Sequence, residues 1–177
     1  MNSKSPSSRI LQLWATKVRV ARLELGDFWS DNGVIQENYR NSSSVIDVYS
    51  QWGKLLDAFS VETGLSISGG FRVDQVLTKQ FYEGAYSGFV QCLGRLYSLL
   101  ILKCSISVPR SRQSGRIFIY DPRSGAANVF VPSLPFGRPL VVDPELGLVL
   151  IFPSFLRYLV APLEGKDQLT IASIGLA

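Results

Sequence analysis

The chain has 177 residues, of which 46% are hydrophobic and 18% are charged, and its formal net charge is +4. This composition excludes a disordered chain, and the length suffices for a single domain that needs no disulfides. The polar start "MNSKSPSSR" lacks the apolar stretch of a signal peptide, and no apolar run approaches the roughly 20 residues that span a bilayer. We therefore expect a soluble protein made in the cytoplasm, with no membrane partner.

Residues 1–8 are predicted to form a polar arm, and a strand follows it. In "ILQLWATKVRVARLEL" apolar residues alternate with basic ones from Val18 onward. This period of two is typical of a β-strand, and it predicts that Lys17, Arg19 and Arg22 face water.

A helix is predicted from Ser44 to Thr63. Its apolar residues recur at spacings of three and four, which is the pattern of a helix with one buried face. They are Val45, Val48, Trp52, Leu55, Leu56 and Phe59. Gly64 supplies a stop signal, and a helix of this kind is expected to lie against a sheet.

After Gly64 the chain is a series of short apolar segments separated by Gly and Pro. Strands at this spacing without alternating helices indicate an antiparallel sandwich or barrel. We therefore predict a mainly β (α+β) fold, a jelly roll with an N-terminal helix packed against it. The predicted division is one domain, 1–177, with a strand and helix in 9–64 and the jelly-roll core in 65–177.

The common catalytic side chains are scarce. The chain contains no histidine, so a Ser-His or Cys-His pair and a histidine zinc site are both excluded. Cys92 and Cys104 lie in apolar surroundings and are interpreted as core residues. Asp121, Asp143 and Glu145 flank prolines, where they are typical turn formers; a carboxylate pair for acid-base chemistry is the alternative.

Three segments resemble one family of enzymes. They are "LQLWATKVRV" (11–20), "SGRIFIYDPR" (114–123) and, most specifically, "GLVLIFPSFLRYLVAP" (147–162), and the closing "QLTIASI" (168–174) adds a weaker match. Together they resemble 2-oxoglutarate- and Fe(II)-dependent oxygenases, in a branch of small proteins found in marine bacteria and in tailed phages of cyanobacteria.

The resemblance implies a double-stranded β-helix whose open end holds iron between two strands. Such a site needs two imidazoles and one carboxylate on one face, with an arginine that pairs with the far carboxylate of 2-oxoglutarate. In this chain the distal histidine position falls on Tyr158, and the first histidine motif falls around Leu93, Gly94 and Arg95. The arginine position falls on Gln168, so we expect a degenerate member with no metal and no cofactor.

These degenerate positions leave two interpretations open. In the first, Tyr158 and Arg157 simply pack and snorkel, filling the volume that metal and co-substrate occupy in the family. In the second, Tyr158, Arg95 and Gln168 line a pocket that binds an organic anion without turnover. An oxygenase with atypical ligands is a further alternative.

A basic loop is the other candidate site. "VPRSRQSGR" carries Arg110, Arg112 and Arg116, which are either solvated or dock on an acidic protein surface. Nucleic acid is the less favoured partner because no aromatic residues alternate with these arginines. Our leading hypothesis is a non-catalytic structural or interaction protein whose partners are other subunits of a larger assembly. A phage virion is one such assembly, with the protein in its head, neck, tail or baseplate.

Overall fold

The computed structural model describes residues 8–13, 16–25, 43–65, 70, 76–90, 92, 94–106, 113–122 and 139–177. Within them the chain forms ten strands and one helix. The strands are β1 (Ser8–Leu13), β2 (Thr16–Arg22), β3 (Leu77–Phe81), β4 (Ser87–Val90), β5 (Leu96–Ser105), β6 (Ile117–Tyr120), β7 (Leu140–Val142), β8 (Leu148–Pro153), β9 (Arg157–Val160) and β10 (Gln168–Leu176). The helix, α1, is Ser43–Thr63.

The strands form two antiparallel sheets that face each other. The six-stranded sheet has the order β1-β2-β8-β5-β10-β3, and the four-stranded sheet has the order β4-β9-β6-β7. Strands distant in sequence are neighbours in both sheets, as in a jelly roll, and α1 covers the outer face of the larger sheet. The predicted fold class is therefore confirmed, whereas the predicted division of the chain stays a prediction.

Two apolar layers hold this architecture together. The inner layer fills the space between the sheets, with residues such as Leu99, Leu150 and Ile171. The outer layer joins α1 to the six-stranded sheet through Trp52, Leu56 and other side chains that are fully buried. Burial of apolar area on this scale is the main force that stabilises a domain of this size.

The helix begins and ends within one residue of its predicted bounds. A buried polar bridge fixes it to the sheet: the Trp52 indole donates to the Ser98 hydroxyl at 2.8 Å, and that hydroxyl donates to the Leu150 carbonyl at 2.9 Å. The Trp52 indole and the Ser98 hydroxyl thereby each have a partner, which is the condition for placing such groups in a core. No helix within the described residues is long and apolar enough to cross a bilayer.

One prediction for the N-terminal segment was wrong. The segment contains two paired strands instead of one, and Arg19 on β2 is buried, at 6% exposure, although it was predicted to face water. The reason is that α1 lies on that face of the sheet. Arg19 forms an ion pair with Glu62 near the end of the helix and lies over the Phe59 ring at 5.9 Å.

Candidate functional site

Tyr158 lies inside the sandwich and not on an open surface. It is on β9, where its side chain is 7% exposed, and two other aromatic rings pack around it. The ring centroids of Tyr97 and Phe152 are 5.9 Å and 6.3 Å from that of Tyr158, and 5.9 Å from each other. We call Tyr97, Phe152 and Tyr158 the aromatic cluster.

Burial controls the chemistry of this cluster. Loss of solvation raises the pKa of the Tyr158 phenol well above its usual range, and a hydrogen bond with Tyr97 and the proximity of Cys92 add to the rise. Burial also raises the pKa of the Cys92 thiol from 9.0 to about 12. Both groups therefore stay protonated and neutral at physiological pH.

The strands beside β9 place hydrocarbon side chains opposite Tyr158. Val90 on β4 and Ile119 on β6 are its partners in the two ladders. The first histidine motif is predicted around Leu93, Gly94 and Arg95. Leu93 lies outside the described residues, β4 ends at Val90, and Arg95 lies in the turn that leads into the other sheet. Val90 is thus a neighbour that sequence reasoning missed, and the pairing of β4 with β9 is what reveals it. Cys92 is buried, as its apolar surroundings in the sequence predicted.

Arg95 and Gln168 are far apart. Arg95 precedes β5, whose first residue pairs with Leu176, whereas Gln168 pairs with Ser105 at the other end of the same strand. At about 3.3 Å per residue this places them roughly 30 Å apart. The structure does not bring Arg95 and Gln168 together.

The interior position at the start of β10 is held by Leu169. Leu169 and Ile171 belong to the layer between the sheets, whereas Ala172 and Ile174, at the alternate positions of the strand, face α1. Gln168 is half-buried and precedes Leu169 by one residue, so the alternation of a strand turns its side chain to the other face. The interior position next to Gln168, where the resemblance implies the arginine that pairs with 2-oxoglutarate, is thus occupied by the hydrocarbon side chain of Leu169.

These residues do not fit the ferrous site that the resemblance implies. The side chains around Tyr158 are two aromatic rings, two aliphatic groups and a protonated thiol, whereas the site needs two imidazoles and a carboxylate. Within the described residues no group of three His, Cys, Asp or Glu side chains is arranged to hold a metal ion. The carboxylates considered as catalytic candidates lie elsewhere: Asp143 accepts from Arg116 at 2.8 Å, and Glu145 is paired with Arg22.

The basic loop is described only at its end. Arg110 and Arg112 lie outside the described residues, and Arg116 is half-buried just before β6, where it is paired with Asp143. The role predicted for these three arginines stays a prediction.

The outer face of the four-stranded sheet is apolar and exposed to solvent. Phe89 on β4 is 60% exposed and Val141 on β7 is 45% exposed. Between them lie half-buried side chains: Phe118 and Tyr120 on β6, and Leu159 on β9. We call these five residues the outer apolar face. The Phe89 and Tyr120 rings meet edge to face, with centroids 5.0 Å apart.

Comparisons with known proteins support the fold. A Pseudomonas putida prolyl-4-hydroxylase matches with a TM-score of 0.55 and 14% identity, over 77% of this chain and 68% of that chain. At this identity the likeness shows a shared fold alone. No protein-family model matches the chain, and no curated protein sequence does.

Two further solved structures cover more of the chain with lower scores. An oxidoreductase of the 2OG-Fe(II) oxygenase family from Burkholderia pseudomallei has a TM-score of 0.43 and 8% identity, over 95% of this chain and 72% of that chain. A dTDP-6-deoxy-D-glucose-3,5-epimerase from Legionella pneumophila has a TM-score of 0.41 and 13% identity, over 96% and 72%.

Proposed function

We propose that this protein is a non-catalytic interaction protein built on an oxygenase-type jelly roll. The observation that carries the proposal is the aromatic cluster, which fills the interior where the resemblance implies a metal site. Tyr158 is buried as a neutral phenol against Tyr97 and Phe152, so the position contributes to core packing. A scaffold whose interior is packed in this way acts through its surface.

The outer apolar face is the surface that fits a partner. Exposed apolar patches of this kind mark contact sites between proteins. Arg157 on β9 lies on the same face, opposite Tyr120, and is exposed. It has no ion pair within the described part of the chain. The partner we propose is therefore another protein subunit that offers an apolar surface and a carboxylate for Arg157.

A larger assembly is the setting that we propose for this contact. The motif resemblance to proteins of cyanobacterial phages favours a virion, in which the subunit would sit in the head, neck, tail or baseplate. The contact requires no enzymatic step and no cofactor.

Iron binding and turnover test the non-catalytic proposal. The full chain is incubated anaerobically with Fe(II), desalted and analysed for iron, and 2-oxoglutarate decarboxylation is then measured in air. We expect no stoichiometric iron and no turnover, with an active 2-oxoglutarate oxygenase as the positive control. Iron bound at one ion per chain together with decarboxylation would overturn the proposal.

The outer apolar face has its own test. Assemblies from producing cells are separated by size, and the protein is located by mass spectrometry. We expect the wild-type chain in a large assembly and Phe89→Lys in the free fraction. Val61→Lys is the matched control, because Val61 is 81% exposed on α1, on the other side of the sandwich. Finding the wild-type chain only as a free monomer would contradict the proposed contact.

A further inference from the structure

A cleft opens at one end of the six-stranded sheet, outside the sandwich interior. Its volume is about 500 Å³, within the range of small-molecule sites. It lies between the end of α1, the start of β2, the turn before β5 and the turn after β8. Its lining residues are Thr16, Lys17, Thr63, Leu65, Gly94, Arg95, Pro153, Ser154 and Phe155.

The charges that line the cleft have one sign. Lys17 and Arg95 are both exposed, and none of the nine lining residues is acidic. Lys17 also donates to the Glu62 carbonyl at 2.9 Å, which holds its ammonium group near the end of α1. Arg95 has no ion pair within the described residues, so its guanidinium is available to a ligand. A cleft with this lining favours an anion.

Backbone hydrogen bonds fix the turn that carries Arg95. Its amide donates to the Leu176 carbonyl at 2.5 Å, and its own carbonyl accepts from the Ser154 amide at 3.0 Å. The preceding Gly94 has a φ of +84°, and a Cβ there would lie 2.2 Å from the Leu176 carbonyl oxygen. The turn therefore requires glycine and is fixed to the last strand. A preorganised turn lowers the entropy that is lost when a ligand binds.

One wall of the cleft is apolar. Leu65, Pro153 and Phe155 line it, and the Phe155 side chain is 45% exposed. An apolar wall beside two cations suits a ligand that has a hydrocarbon body and a carboxylate. Hydrocarbon against the wall supplies affinity, and the fork of the guanidinium orients the carboxylate.

We propose that this cleft binds a small organic carboxylate with an apolar or aromatic body, with Arg95 and Lys17 as the groups that hold the carboxylate. The site is separate from the aromatic cluster and does not depend on the absence of catalysis.

Titration followed by amide NMR tests this assignment, with benzoate as the probe. We expect shifts at the amides of Gly94, Arg95, Ser154 and Phe155. Benzamide, which has the same ring without the charge, should bind about fivefold more weakly, since a charge-assisted contact at a half-open site is worth about 1 kcal/mol. Arg95→Gln should weaken benzoate binding about as much.

Lys166→Gln is the matched control, because Lys166 is an exposed cation in the turn before β10, outside the cleft. It should leave benzoate binding unchanged, and the dispersion of the amide spectrum shows that each variant is folded. Equal binding of benzoate and benzamide, wild-type affinity in Arg95→Gln, or benzoate shifts confined to other surfaces would each overturn the proposal.

Discussion

Tyr158 is a core residue at the position where the motif resemblance implies a metal ligand. Its ring packs against Tyr97 and Phe152 between the sheets, and its phenol has a hydrogen bond with Tyr97. Packing and hydrogen bonding make separable contributions to the free energy of unfolding, so two substitutions at this one position measure them.

We predict that Tyr158→Ala lowers the free energy of unfolding by about 3–5 kcal/mol, as for other large aromatic side chains removed from a core. Tyr158→Phe keeps the ring and should cost only about 1 kcal/mol, the contribution of one hydrogen bond. Urea denaturation of the two variants measures both values. A cost below about 1 kcal/mol for the alanine variant would show that the ring lies in an open pocket instead of a packed core.

Alkaline pH should destabilise the protein through the same residues. The pKa of Cys92 rises from 9.0 to about 12 on folding, and that of Tyr158 also rises. A raised pKa means that the folded state keeps a proton that the unfolded state releases. This stabilisation is complete below the unfolded-state pKa and is lost as the pH rises toward the folded-state pKa.

The free energy of unfolding should therefore fall between pH 9 and pH 12. In Cys92→Ala the fall should be shallower by up to about 1.4 kcal/mol per pH unit, because one titrating group is gone. Urea denaturation at a series of pH values gives the two slopes. Equal slopes for the wild-type chain and Cys92→Ala would mean that Cys92 is exposed to solvent.

At the scale of elements, α1 depends on β2 for the charges at its end. The last turn of the helix has no basic residue of its own. Lys17 on β2 supplies positive charge there by donating to the Glu62 carbonyl, and Arg19 on β2 neutralises the Glu62 carboxylate. Positive charge at a helix end complements the helix dipole, so helix and hairpin stabilise each other.

We predict that Glu62→Gln lowers the free energy of unfolding by about 2 kcal/mol, because Arg19 stays buried while its counter-charge is lost. The loss is smaller than for a fully buried ion pair because the Glu62 side chain is partly exposed to solvent. Arg19→Met, which keeps the packing without the charge, should stay within about 1 kcal/mol of the wild-type chain. Thermal or urea unfolding measures both.

The exposed pair of Arg22 and Glu145 is the control for this experiment, because both side chains are about half exposed, at 53% and 50%. Arg22→Gln should change the free energy of unfolding by less than about 0.5 kcal/mol. A loss in Glu62→Gln as small as in Arg22→Gln would contradict a buried role for Arg19.

Local sequence patterns were sufficient to predict the helix and the strands, but they did not predict which strands pair or which faces are covered. The spacing of Val45, Val48 and Trp52 predicted α1 because a helix is a local structure. Arg19 was placed on the wrong face because nothing in its strand indicates that a helix covers it. The pairing of Tyr158 with Val90 and the inward position of Leu169 depend on strands far apart in sequence, so single-chain periodicity does not specify them.

At the scale of the whole molecule, the two sheets differ in whether their outer faces are covered. The six-stranded sheet is covered by α1 and has its interior filled, whereas the four-stranded sheet leaves its outer apolar face open to solvent. The cleft lined by Lys17 and Arg95 lies at the end of the larger sheet, away from the aromatic cluster and the outer apolar face. This arrangement places every proposed contact on the surface and leaves the interior to packing.

We propose that the space between the two sheets is a packed core and not a site for ferrous iron. Thermal unfolding under anaerobic conditions, with and without excess Fe(II) and 2-oxoglutarate, tests it without requiring turnover. A ligand that binds the folded chain at a hundred times its Kd adds about 2.7 kcal/mol, which would raise the Tm of a chain of this size by about 5–10 °C. We predict the same Tm with and without them; a rise of that size, abolished by a chelator, would contradict the claim.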